Sequence, residues 1–134
     1  MAAKLKFSNA ILCEHVVSGG SGKHTLINVY GGDILVREFP AKMMLGFYAE
    51  HTAEKSGDLW IKILRGKEEI AKLQVVVESN VKQSSGIIAM PVFEFVAEEE
   101  TSIELVATME GCARTPFLRK RILIAGGPND PTIP

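Results

Sequence analysis

The residues that invite a chemical reading begin with Gly20-Ser21-Gly22-Lys23-His24-Thr25, which carries the Gly-Lys step of a phosphate-binding loop. That loop needs a glycine where Val17 stands and a Ser or Thr where His24 stands. It must also open a helix, whose N-terminus stabilises the phosphate, and here a β-patterned run follows. Nucleotide binding is therefore not expected. Cys13 and His15 lie two apart on a strand and so share a face, and His24 lies across the hairpin from them. Zinc takes such sulfur and nitrogen ligands, but a tetrahedral site needs three or four, and no fourth partner is identifiable. The expectation is a buried thiol beside a histidine, with no metal and no cofactor.

A hydrolytic triad would have to be assembled from distant loops. Its available members are His51, Asp33, Asp58 and the serines at 18, 21, 84 and 85. No nucleophile elbow or equivalent local signature accompanies them, so no catalytic residue is assigned and an enzyme with a dispersed site is the least favoured reading. Arg114, Arg119, Lys120 and Arg121 form a basic cluster, but strand alternation would divide residues 119–121 between two faces. A solvated or salt-bridged face is expected there, and a patch for an acidic partner is the alternative. Trp60, the only tryptophan, shares a face with Lys62 and Leu64, opposite Leu59, Ile61 and Ile63. Either a loop or the tail covers Trp60, or its face is the core, or Trp60 and Leu64 form an interface. A third use is a stacking platform at Trp60 or Tyr48 for a small ligand or carbohydrate.

These residues sit on short β-branched and aromatic runs separated by turn residues. The first run covers residues 10–17. The Gly- and Ser-rich stretch 18–22 breaks it, and 24–30 resumes as the second arm of a hairpin. Gly31-Gly32-Asp33 breaks the chain again, where two glycines suit a tight crossing between strands. Ile34-Leu35-Val36 is a short strand closed by Phe39-Pro40. Met43, Leu45, Phe47 and Ala49 alternate, which favours a strand over a helix, with a loop across 51–57. Strands follow around 59–64 and 70–77, with Leu73, Val75 and Val77 on one face. A polar loop is expected at 80–86, then a long strand over 87–96, bent or at an edge near Pro91. Glu98-Glu99-Glu100 makes a turn. Ile103, Leu105, Ala107 and Met109 alternate in the next strand, and Leu118, Ile122 and Ile124 mark the last.

About nine strands without βαβ alternation predict an all-β fold, an antiparallel two-sheet β-sandwich of immunoglobulin-like type, with a small barrel as the alternative. Residues 1–125 are read as one domain and 126–134, rich in Gly and Pro, as a flexible tail. The length of 134 residues is enough to bury a core without disulfides or metals. A net charge of −1 gives no electrostatic case for nucleic acid or an anionic membrane. No apolar run is long enough for a membrane helix and the start does not resemble a signal peptide, so a cytoplasmic protein with reduced Cys13 and Cys112 is expected.

The stretch Leu26-Ile27-Asn28-Val29-Tyr30-Gly31-Gly32-Asp33-Ile34-Leu35-Val36, followed by Phe39-Pro40 and preceded by Cys13-Glu14, resembles a pattern in a family of small bacterial proteins of unknown function. The resemblance covers about a quarter of the chain. It implies a bacterial source and an immunoglobulin-like sandwich, and it brings no activity and no site residues. The leading expectation is thus a non-catalytic interaction or structural module, self-associating as a homodimer or binding a protein partner through Trp60 and Leu64. A small-ligand or carbohydrate-binding domain is the alternative.

Overall fold

Leu59, Ile61 and Ile63 are buried while Trp60 and Lys62 between them face outward, as strand alternation requires. The same pattern recurs along the chain. The computed structural model describes residues 4–78 and 86–133. Nine strands run through the described residues: β1 (Leu5–Ser18), β2 (His24–Val29), β3 (Ile34–Val36), β4 (Ala41–Ala53), β5 (Gly57–Arg65), β6 (Glu68–Val77), β7 (Gly86–Ala97), β8 (Thr101–Met109) and β9 (Thr115–Ile124). Among the described residues no helix is long and apolar enough to cross a membrane. Of the expected polar loop at 80–86, residues 80–85 lie outside the described residues and Gly86 opens β7.

The strands form two sheets, ordered β2-β1-β4-β7 and β3-β9-β8-β5-β6. Their inner faces share one apolar cluster, with Leu12, Leu45, Phe47 and Phe95 from the first sheet and Leu59, Ile61, Ile103, Leu105 and Ile122 from the second. Each such side chain contributes ~1.5–3 kcal/mol by leaving water. The fold is therefore all-β with two sheets around a common core.

Two expectations need correction. The sheets are not wholly antiparallel, because β3 pairs with β9 in parallel, Ile34 opposite Ile122 and Val36 opposite Ile124. The cause is the 30–33 segment. It carries the chain from β2 in the first sheet to β3 in the second instead of turning it back as a hairpin, and β3 then pairs in parallel with β9, with β4 to β8 lying between them in the chain. Gly31 and Gly32 make this crossing, yet neither has a positive φ and a Cβ on either would meet nothing within 4 Å. The crossing does not depend on glycine. The loop expected over 51–57 is also shorter, since β4 continues through His51 to Ala53, pairing with β1 down to Leu5.

Both edges of the alternation reading are shifted by bulges. In β1 the register slips between Ser8 and Ile11, where Asn9 has a φ of 50°. Leu5 and Phe7 face the core before the slip and Leu12 faces it after, so the inward parity changes. In β7 the slip falls at Pro91: Leu45 pairs with Phe93 but Phe47 pairs with Met90. Ile88 and Met90 face inward before it, and Phe93, Phe95 and Ala97 after it.

β1 pairs with β4 only as far as Cys13, and beyond that only with β2. His24, opposite Ser18 at the hairpin's far end, nonetheless has its ring 5.5 Å from that of Tyr48, edge-on. The hairpin must curl back over the first sheet to bring them together. Cys13 and Val16 are buried without belonging to the central cluster.

The Gly- and Pro-rich stretch at 126–134, expected as a flexible tail, is a set of hydrogen-bonded turns over its described residues. Asp130 is buried and accepts from the Gly126 amide at 2.8 Å and from the Thr132 amide and hydroxyl at 2.8 and 2.6 Å. These donors hold its carboxyl below the usual aspartate range, the Gly126 amide foremost. Asn129 donates to Glu100 at 2.8 Å, tying the turns to the β7–β8 connection.

Candidate functional site

The Gly20–Gly22 segment is a single 3₁₀ turn between two strands, closed on itself by the Gly19 amide donating to the Lys23 carbonyl at 2.7 Å. It leads into β2 and offers no helix N-terminus to a phosphate. Cys13 is buried, and its thiol donates to the carbonyls of His15 and Gly46 at 3.4 and 3.6 Å. Burial pushes the thiol pKa up. His15 is exposed and His24 lies against Tyr48, so the three are not brought to one point. Among the described residues no group of three or more His, Cys, Asp or Glu is arranged to hold a metal.

The dispersed hydrolytic residues are also separated. His51 is on the inner face of the first sheet, packed near Phe7 at 6.1 Å between ring centroids. Its Nδ1 is buried with no hydrogen-bond partner among the described residues, and burial holds its pKa below the usual histidine value. Asp33 is held bidentately by Arg121, at 3.2 Å from Nε and 2.7 Å from Nη2. That pairing lowers the Asp33 pKa. Asp58 lies on the second sheet beside Trp60. Ser18 and Ser21 lie in the hairpin, and Ser84 and Ser85 lie outside the described residues.

The basic cluster divides as alternation requires. Arg119 and Arg121 stand opposite Glu104 and Ser102, while Lys120 stands opposite inward-facing Ile103. Arg121 is engaged by Asp33 and Arg114 by Glu104 at 4.0 Å.

Trp60 is half-buried on the outer face of the second sheet, with Lys72 Nζ 4.9 Å from its ring centroid. Its cross-strand partner on β6 is Gln74, flanked on the same face by Lys72 and Val76. Val76 is 70% exposed, the most exposed of the large apolar side chains among the described residues. Leu64, expected to join Trp60 in an apolar patch, is only 9% exposed, so Val76 supplies that surface instead. A cleft of about 580 Å³ opens at the other side of Trp60, lined by Lys55, Asp58, Thr108 and Glu110 among others.

The four sheet edges differ in how they are guarded. β3 has three residues and β2 has six, with Asn28 at a φ of 53°. β7 carries Pro91 and its bulge. β6 has ten residues, no proline, and an unbroken register with β5 from Ala71 to Val77. Among the described residues it pairs with β5 alone. Sequence reasoning missed Val76, although its signal was present: if Leu73, Val75 and Val77 face inward, Val76 must face out.

No protein-family profile matches the chain, and no curated protein is significantly similar to it.

Proposed function

We propose that the protein is a non-catalytic interaction module on an immunoglobulin-like sandwich, docking a protein partner along the β6 edge and the Trp60–Val76 strip beside it. The observation that carries this reading is the β6 edge, the one long sheet edge among the described residues without a proline. An unpaired strand edge presents a row of backbone donors and acceptors that an added strand can satisfy. Trp60 and Val76 lie next to it and supply apolar area of the kind that anchors interfaces. Two sheets around one core support the sandwich. The test is site-specific photo-crosslinking in cells. A photoreactive residue at position 76 should give one discrete adduct, lost when Lys is introduced at Gln74, while the same residue at Met44, exposed on the first sheet, gives none. Absence of any adduct from position 76 overturns the reading.

A second reading, a small-ligand or carbohydrate site, is favoured by the cleft beside Trp60. Its mixed lining of Lys55, Asp58 and Glu110 would hydrogen-bond hydroxyls while the indole stacks. Quenching or a blue shift of Trp60 fluorescence on titration with neutral sugars would support it over the protein-docking reading.

A further inference from the structure

We infer that the β6 edge is the seam of a two-fold homodimer, in which β6 strands of two copies pair antiparallel about Val75. The inference rests on the reading of β6 as the docking element and names its occupant. Strands paired in one sheet must put like faces together, so outward residues of one copy oppose outward residues of the other. The regular part of β6 begins after the register shift near Ile70 and runs to Val77, followed by exposed Glu78.

Centring the pair on Val75 sets Lys72 opposite Glu78 of the second copy, and symmetry repeats that pair. Gln74 then faces Val76 of the second copy on the outer side. On the inner side Leu73 meets Val77, and Val75 meets its own equivalent. Leu73 and Val75 point toward the core yet are only half-buried, so they have apolar surface left for this contact. Centring on Gln74 instead sets Glu78 against the bulge at Ile70, and centring on Leu73 sets it against Glu68. Of these three registers on the regular part of β6, only the Val75 one joins opposite charges across the seam and continues the apolar inner face.

The test is sedimentation equilibrium of the full chain with charge exchange. The wild type should dimerise. Lys72→Glu and Glu78→Lys should each weaken dimerisation about tenfold or more, because like charges then face each other twice. The double variant should restore it. Both residues are exposed, so the variants keep the fold. Lys72→Glu also removes the contact with Trp60, but rescue by Glu78→Lys cannot arise from that loss. A wild type that stays monomeric through the high-micromolar range, or a double variant without rescue, overturns the inference. The register is read separately in a Cys112→Ser background: Val75→Cys should oxidise to a covalent dimer, and Gln74→Cys should not. The reverse result overturns the register. The position-76 adduct separates this inference from the reading beneath it. A mass of two chains supports the second copy; a heavier or lighter adduct overturns the homodimer and leaves the interaction module standing; no adduct overturns both.

Discussion

A Cβ on Gly46 would stand 2.5 Å from the carbonyl oxygen of Pro91 and 3.0 Å from that of Met90. The bulge of β7 presses its backbone directly onto β4 at this point, where Pro91 and Val92 together oppose Gly46. Backbone atoms cannot swing aside as a side chain can. Gly46→Ala should therefore destabilise the fold by ~1–3 kcal/mol or more. Gly31→Ala, which meets nothing within 4 Å, should stay within ~0.5 kcal/mol of wild type. Urea midpoints of the two variants check this, and equal midpoints would refute it.

His51 makes stability depend on pH. Its folded-state pKa lies below the ordinary 6.5 because burial disfavours the imidazolium. The unfolded chain therefore takes up the proton first as pH falls. The contribution of His51 is fully present above 6.5 and is lost progressively below it, as pH falls through the folded-state value. Denaturation series across that window should show the decline in wild type and a shallower one in His51→Gln.

The two thiols should react at different rates. Cys13 is buried and its pKa is raised, so it offers little thiolate and no access. Cys112 is partly exposed. Native protein treated with a thiol reagent should label at Cys112 first, with Cys13 following only on unfolding. Equal labelling rates would mean that the hairpin over Cys13 opens freely.

Trp60→Ala should leave a cooperative melt. The residue stands outside the central cluster, so the change should cost less than the ~3–5 kcal/mol of truncating a core aromatic. In sedimentation the variant should move toward monomer, because the indole flanks the β6 seam. A variant that unfolds at room temperature would place Trp60 among the residues that hold the sheets together.

Alternation made much of this architecture readable. Leu59, Ile61 and Ile63 named β5, and the Gly-rich break after Val17 named the first hairpin. The irregularity expected near Pro91 is there, as a bulge on an edge strand; the parity change at Asn9 was not readable, because a bulge needs only one residue and its position depends on the partner strand. The parallel partner of β3 was equally hidden: three residues carry no information about a strand some ninety positions away. The turns after β9 were not readable either, because the buried carboxylate of Asp130 organises three donors that composition alone does not reveal. At the candidate site the outward positions of Trp60 and Val76 follow from alternation, whereas the sinking of Leu64 was not readable, because the register of β5 with β6 shifts between Ile63 and Leu64.

β9 lies inside the second sheet, with β3 on one side and β8 on the other. It is also the last of these nine strands to leave the ribosome. Until residues 115–124 emerge, β3 lacks its sole ladder partner among the described residues, and β8 holds an apolar flank open. Until β9 emerges the nascent chain thus carries an unpaired β3 and an unpaired edge of β8, an interval in which chaperone binding or aggregation can compete with folding. Ribosome-stalled chains ending shortly before Thr115 should remain protease-sensitive, and those exposing all of β9 should become resistant in a single step.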